Sequence, residues 1–382
     1  VEGDGGERVL WLHADLIGFE AEDVARIKQA LHQRFGFAAD EVCLSATHTH
    51  SGPATIRLLN CGEYHGEYVA FVEERLIAAA MEALRTAAPA KLEFAEGQCE
   101  LAIDRRGKPT KHVDPRVGVL AWRRIEAGGA GGAYVAVLAN YGMHNVAMGH
   151  ENRLISADMA GRAAHRVAAA LPGRPVVLFT NGGAGNLNPP AVGHDFGRME
   201  EWGDRLAAAV LVALDKATPA GKVSVRAAAR TLALPTSALS EAELDEIAAR
   251  HIQPLEARSD YVSGRIRAAV LRWRTLMRDS VAERRGQPIC EVAIQVVSFG
   301  PVALACFGAE VFSCAAEQLR ARVGRPVYVV SYANGLIGYL APRVAHEEGG
   351  YETAGAFIFY GRAPLAPGGF ERALDTAADL LR

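Results

Sequence analysis

No apolar run in this sequence is long enough to cross a bilayer. The longest, residues 292–307, is interrupted by Gln295, Ser298, Gly300 and Pro301. That pattern excludes a membrane-spanning helix there and fits a hairpin of short strands. There is no stripe of lysine and arginine and no interleaving of basic with aromatic residues, and the net charge is -3; a nucleic-acid partner is therefore not expected. The six cysteines (Cys43, Cys61, Cys99, Cys290, Cys306 and Cys314) include no C-x-x-C pair. A chain of this size does not need disulfide staples, so buried free thiols are expected. Internal repeats are missing, and the only low-complexity stretch is a short glycine-rich turn at 128–132. The chain begins at Val1 with neither a methionine nor an apolar leader, as expected of a fragment or processed form. Localisation is left unknown, with the cytoplasm slightly favoured, and no oligomeric state is assigned.

What is present is the composition of a well-packed protein. With 382 residues, 50% hydrophobic and 22% charged, the chain can bury a large core, and a single domain over 1–382 is the simplest reading. Residues 9–16 read as a strand. Residues 20–35 read as a helix with Val24, Ile27, Leu31 and Phe35 on one side, followed by a strand leading to His48: a β-α-β opening. A helix is expected over 68–88, stopped by Pro89, then strands at 91–103, 117–124 and 133–138 and helices at 157–171 and 198–217. Residues 218–288 read as a charged helical insertion, with a Ser240/Glu243 capping box and a helix over 259–283 carrying Ile266, Val270, Trp273 and Leu276. A hairpin (290–299 and 302–307), a helix (311–323) and a strand (327–331) follow. The expected fold class is α/β: a mixed β-sheet core flanked by helices, with a helical insertion and the site at the carboxyl ends of strands.

Several of those strand ends carry chemistry. C-L-S-A-T-H-T-H-S-G-P (43–53) places His48 and His50 one residue apart, and in an extended segment such side chains point the same way. His144, Glu310 and a tyrosine-rich segment with Tyr332 and Tyr339 also follow strands. Two imidazoles and a carboxylate with an open position are the ligand type of hydrolytic zinc sites, where zinc lowers the pKa of water to about 7 and polarises a carbonyl. Plainer roles compete: His144 as a satisfied core histidine, Glu310 as a cap of the following helix, Tyr339 as packing with Tyr332 as its rival. Asp158 either orients a ligand histidine or caps a helix. The run 182–185 lacks the Lys and Ser/Thr spacing of a phosphate loop and reads as a substrate-contacting loop. His65, His112, His150, His165, His194 and His251 read as surface or structural.

The segments T-H-T-H-S-G-P (47–53), Y-G-M-H-N (141–145) with L-I-S-A-D (154–158), F-G-A-E-V-F (307–312), and Y-L-A-P-R (339–343) with E-E-G-G-Y-E (347–352) resemble, in order and approximate spacing, the neutral/alkaline ceramidase family. The resemblance runs from near Val9 to near Gly361. It implies the catalytic domain of a short, bacterial-type member without the C-terminal β-sandwich domain and with its N-terminal strand region missing. It further implies a zinc-dependent amidohydrolase of lipid metabolism, acting on a sphingolipid or another linear amide. Zn2+ would be held by His48, His144, Glu310 and Tyr339, with His50 handling protons beside it. Arg105, in I-D-R-R, would bind a polar or anionic substrate group. Tyr351, twelve residues beyond Tyr339, would be an oxyanion donor. One departure stands out: where the family has G-D-x-S-P-N, this chain has G-A-G-N-L-N (183–188), so Asn186 replaces a serine that contacts the amide. An asparagine can still donate a hydrogen bond. The expected function is accordingly zinc-dependent cleavage of an amide, in an N-acyl lipid or a small non-lipid amide or ester, with a non-catalytic metabolite-binding protein as the alternative.

Overall fold

The amino-terminal β-α-β unit forms as its periodicity predicts. Strands Leu10–Ala14 and Val42–Ala46 pair in parallel, Leu10 opposite Val42 and Ala14 opposite Ala46, and helix Ala21–Phe35 crosses between them. Val24, Ile27 and Leu31 bury its inner face, and Gly36, at φ 70, ends it with a left-handed turn that a residue with a Cβ adopts at a cost. The structure is a computed structural model describing residues 1–126, 131–193, 195–282 and 289–382. His194, Glu283 and most of the glycine-rich turn lie outside the described residues.

Two larger sheets pack face to face. The first has five strands, in spatial order Val176–Asn181, Gly131–Tyr141, Arg116–Ile125, Ala90–Gln98 and Thr218–Pro219. The first two pair in parallel and the remaining pairs are antiparallel. The second has four, in order Val225–Pro235, Ile289–Phe299, Val302–Phe307 and Val327–Val330, of which only the last pair is parallel. Successive strand residues point to opposite faces, and the cores follow that alternation. Val117, Val119 and Ala121 pack with Met159, Ala163, Leu206 and Val210 of helices Asp158–Ala170 and Phe196–Leu214. On the other face Leu92, Leu120 and Leu138 meet Val297, Phe299, Leu304 and Tyr328 of the second sheet. Helices Cys314–Val323 and Gly369–Leu381 cover that sheet's far side. The result is four layers, helices outside two mixed sheets. Gly118 lets the sheets close, because a Cβ there would lie 2.4 Å from the ring of Tyr328.

The segment expected to be a helical insertion, 218–288, begins otherwise. Val225–Pro235 is an eleven-residue strand paired along its whole length with Ile289–Phe299. Its run of alanines favours helix by propensity, but continuous pairing at a sheet edge overrides that preference. Among the described residues its α-helices are Glu241–Ile252 and Tyr261–Ala282, which share a small core around Trp273; Ser240 and Glu243 form the expected capping box. The helix expected from 311 starts only at Cys314, because Glu310–Val311 pairs as a short parallel strand with Tyr339–Leu340. All six cysteines are free; Cys61 is exposed and Cys314 only partly buried, so the expectation of buried thiols holds for the other four. Among the described residues no helix is long and apolar enough to cross a membrane.

Candidate metal centre

Three strands, Val42–Ala46, Gly131–Tyr141 and Val302–Phe307, each end two or three residues before His48, His144 and Glu310. The three side chains are buried, and one ligating atom from each lies within 4.8 Å of the others. His48 and His50 do face each other, with Nε2 atoms 3.1 Å apart, but not because the segment is extended. The strand has already ended, and His48 sits at φ 60. This left-handed kink is fastened on the Thr47 side: Thr47 N–H donates to Ala14 O (3.1 Å), and its carbonyl accepts from the side-chain amides of Asn145 (2.6 Å) and Asn181 (3.3 Å). Among the described residues the Asp158 carboxylate makes no hydrogen bond to an imidazole. It accepts from the N–H groups of Ala147, Met148 and Met159, tying the chain beyond His144 to the helix start.

The hydrogen bonds made by the two histidines decide what their remaining nitrogens can do. His48 Nδ1 donates to Ile17 O (2.6 Å), and His144 Nδ1 donates to Ala184 O (2.8 Å) and Leu187 O (3.0 Å). Burial lowers the His144 pKa to about 4, so at neutral pH its only proton is on Nδ1 and Nε2 carries a lone pair. That lone pair faces Glu310 Oε2 at 2.9 Å, and His48 Nε2 stands 3.5 Å from the same oxygen. The Nε2 atoms of His48 and His144 and the Glu310 carboxylate therefore converge on one point, an arrangement that a cation could occupy by coordination. A His/His/carboxylate set suits zinc. The alternative reading of Glu310 as a helix cap does not describe its side chain, which is buried in this cluster.

Four tyrosines surround the triad. Tyr339 pairs with Glu310 across the short parallel strands, its ring lies 6.4 Å from that of His144 at 20°, and its hydroxyl accepts from Arg105 Nη2 (2.7 Å). Tyr360, which the sequence reading passed over, donates to Glu310 Oε1 at 2.5 Å. Tyr332 stacks flat on His48, centroids 3.8 Å apart at 6°. Tyr351, 51% exposed, meets the Tyr339 ring edge-on at 5.9 Å from the solvent side. His50 is exposed as a residue, but its ring is turned into the cluster, where desolvation and the neighbouring His48 and His144 hold its pKa well below the ordinary histidine value.

No protein-family model matches the sequence. Solved structures match it by fold. One, described as a ceramidase complexed with C2, superposes with a TM-score of 0.73 at 18% identity, covering 98% of this chain and 67% of that one. Another, the neutral ceramidase from Pseudomonas aeruginosa, gives 0.69 at 18% identity, covering 99% and 67%. The fold is that of neutral ceramidase.

Within this ceramidase fold, two of the expected substrate-contacting groups already have partners. Arg105 donates Nε to Glu352 (2.9 Å), Nη1 to Asn188 (3.1 Å), and Nη2 to Gly185 O (3.0 Å) and Tyr339 (2.7 Å), which leaves one of its five N–H groups uncommitted. Its shortest bond is to the Tyr339 hydroxyl. Asn186 uses both amide hydrogens, on Asp104 (2.8 Å) and His112 O (3.0 Å), and its carbonyl accepts from Ser313 N (2.9 Å). Its side chain ties three segments together. His65 caps helix Gly66–Arg85, His112 bonds Ser313 and Glu317, and His251 bonds Ala354 O, all in structural roles. Nothing local singles out Tyr360 in F-I-F-Y-G; its partner lies fifty residues away in sequence.

Proposed function

We propose that this chain is a zinc-dependent hydrolase of an acyl amide, with His48, His144, Glu310 and Tyr339 as the metal-holding residues. The observation that carries this reading is the convergence of the His48 and His144 Nε2 atoms on the Glu310 carboxylate, with both Nδ1 atoms already bonded to backbone carbonyls. A zinc ion at such a set supplies an acidified water and a polarised carbonyl at neutral pH.

The chain's own residues divide the remaining work. The backbone carbonyls of Ile17, Ala184 and Leu187 aim the imidazoles, and Tyr360 holds one Glu310 oxygen so that the other faces the histidines. Burial and the nearby Glu310 raise the Tyr339 pKa well above the ordinary value, and Arg105, beside its hydroxyl, works against them toward the phenolate form that a tyrosine ligand needs. His50, with Nε2 turned to the triad, takes a proton from the attacking water and delivers it to the leaving nitrogen. Tyr351, at the solvent edge, donates to the substrate's carbonyl oxygen, and Asn186 positions the loop rather than the amide. The substrate is an N-acyl lipid of the ceramide type. A smaller amide or an ester is the second reading, favoured by the occupied donors of Asn186, which leave no counterpart to the serine contact expected of the family.

The test is metal content. Elemental analysis of the purified wild type should find about one zinc per chain, lost in His144→Ala variants that remain folded by circular dichroism. The loaded wild type should then hydrolyse a member of a panel of N-acyl amides and esters. A wild type that takes up no zinc when it is supplied would sink the proposal.

A further inference from the structure

Tyr332 combines two costs in one residue. It follows strand Val327–Val330 and adopts φ 58, a left-handed conformation that costs a tyrosine about 1–2 kcal/mol. Two backbone bonds hold it there: its N–H donates to Ala309 O and its carbonyl accepts from Ala46 N–H, each at 3.2 Å. Its ring is 1% exposed and lies flat on the His48 imidazole. The hydroxyl is also buried, and it lies beside the Glu310 carboxylate without a well-formed hydrogen bond. A buried polar group without a partner costs about 1–3 kcal/mol, and a phenylalanine would keep the same stack without that cost.

The other three tyrosines are placed differently. The Tyr339 hydroxyl is bonded by Arg105, Tyr360 is bonded to Glu310, and Tyr351 is half exposed. Tyr332 alone of the four combines full burial, direct contact with a triad residue and an uncommitted hydroxyl. An unpartnered donor at a convergent set of acceptors is arranged for something that arrives. A phenol there is a donor at neutral pH, and a donor in a site closed to water is worth most where negative charge develops.

We propose that Tyr332 is a further catalytic residue of this centre, its hydroxyl donating a hydrogen bond to the carbonyl oxygen of the bound acyl group. The inference rests on the metal-dependent reading given above. It differs from the role given to Tyr351, which approaches from solvent; Tyr332 approaches from the protein interior, on the His48 side.

The experiment compares zinc-loaded wild type with Tyr332→Phe. Acetohydroxamic acid, a small acyl ligand for zinc, is titrated calorimetrically into each; zinc affinity is measured by competition with a chromophoric chelator, and melting is followed by circular dichroism. The expected result is hydroxamate binding weaker by about tenfold or more in the variant, with zinc affinity unchanged and a melting temperature equal to or above that of wild type. On any amide or ester that the wild type hydrolyses, kcat should fall while KM changes little. Equal hydroxamate affinity in the two proteins overturns the proposal. A fall in zinc affinity or melting temperature also overturns it, by making the hydroxyl a metal-supporting or packing group. A wild type that binds no zinc fails one step earlier and overturns the hydrolase reading on which the inference rests.

Discussion

The triad and the arginine cluster beside it are built by different means. His48 and His144 are aimed by backbone carbonyls, and the kink at His48 is fastened through the Thr47 backbone. The cluster around Arg105 is held mainly by side-chain charges. Glu352 bonds both Arg105 and Arg106, and Arg106 also reaches Glu348 and the carbonyls of Ala345 and Gly349. Backbone carbonyls belong to the sheets and loops themselves, so the histidines of the triad are as firmly placed as the fold. The arginine cluster joins residues 105–106 to residues 345–352 across the chain, and its order depends on two carboxylates, Glu352 and Glu348. The two regions should therefore fail differently: ligand loss should silence the first without unfolding it, whereas loss of an ion-pair partner should loosen the second.

The largest expected effect separates them cleanly. Glu310→Ala should bring zinc uptake to background by elemental analysis, yet leave the metal-free protein folded, at a cost of about 1–3 kcal/mol because the Tyr360 hydroxyl loses its acceptor. A large drop in metal-free stability would show that the triad is structural in its own right. Glu352→Ala tests the other region. Its side chain is 3% exposed, as is that of Arg106, and removing one partner of a buried pair costs about 3–5 kcal/mol. Urea unfolding should show a loss near the lower end, since Arg106 keeps Glu348. A change below about 1 kcal/mol would mean that the cluster behaves like a surface network.

The two regions also differed in how far the sequence disclosed them. The β-α-β opening was legible because Val24, Ile27 and Leu31 recur at helical spacing between two short apolar strands. The short motifs at strand ends were legible because they combine rare residue types with turn-forming ones. His48 and His50 were paired through the wrong geometry: alternation along a strand suggested what a left-handed kink achieves. Val225–Pro235 was hidden by its alanines, since pairing with Ile289–Phe299 belongs to no local window. Tyr360 and the partners of Arg105 were hidden for the same reason, because a contact across 50 or 247 residues leaves no periodic trace.

A smaller effect probes the one point where the triad does depend on a side chain. Tyr360 is the bonded partner of Glu310 Oε1, and partners that orient metal ligands typically contribute 10–100-fold in affinity. Tyr360→Phe should weaken zinc binding by about that range in a chelator competition, with melting little changed. Unaltered affinity would mean that the backbone alone orders the triad, and would sharpen the contrast with the arginine cluster.

The smallest expected effect concerns Asn186, which stands where the family resemblance calls for serine. Its amide donates to Asp104 and to His112 O, and its carbonyl receives Ser313 N–H. A serine has one donor and a shorter reach, so Asn186→Ser can keep at most part of this set. Asp104 retains the N–H groups of Arg106 and His112, which limits the cost to about 1–2 kcal/mol. Denaturant unfolding should register that loss while zinc affinity stays at the wild-type value, because none of the three partners touches the triad. If instead the serine variant keeps its stability and gains turnover on an N-acyl lipid, the loop is a substrate-contacting element after all, and the division between a metal side and a purely structural side must be redrawn through Asn186.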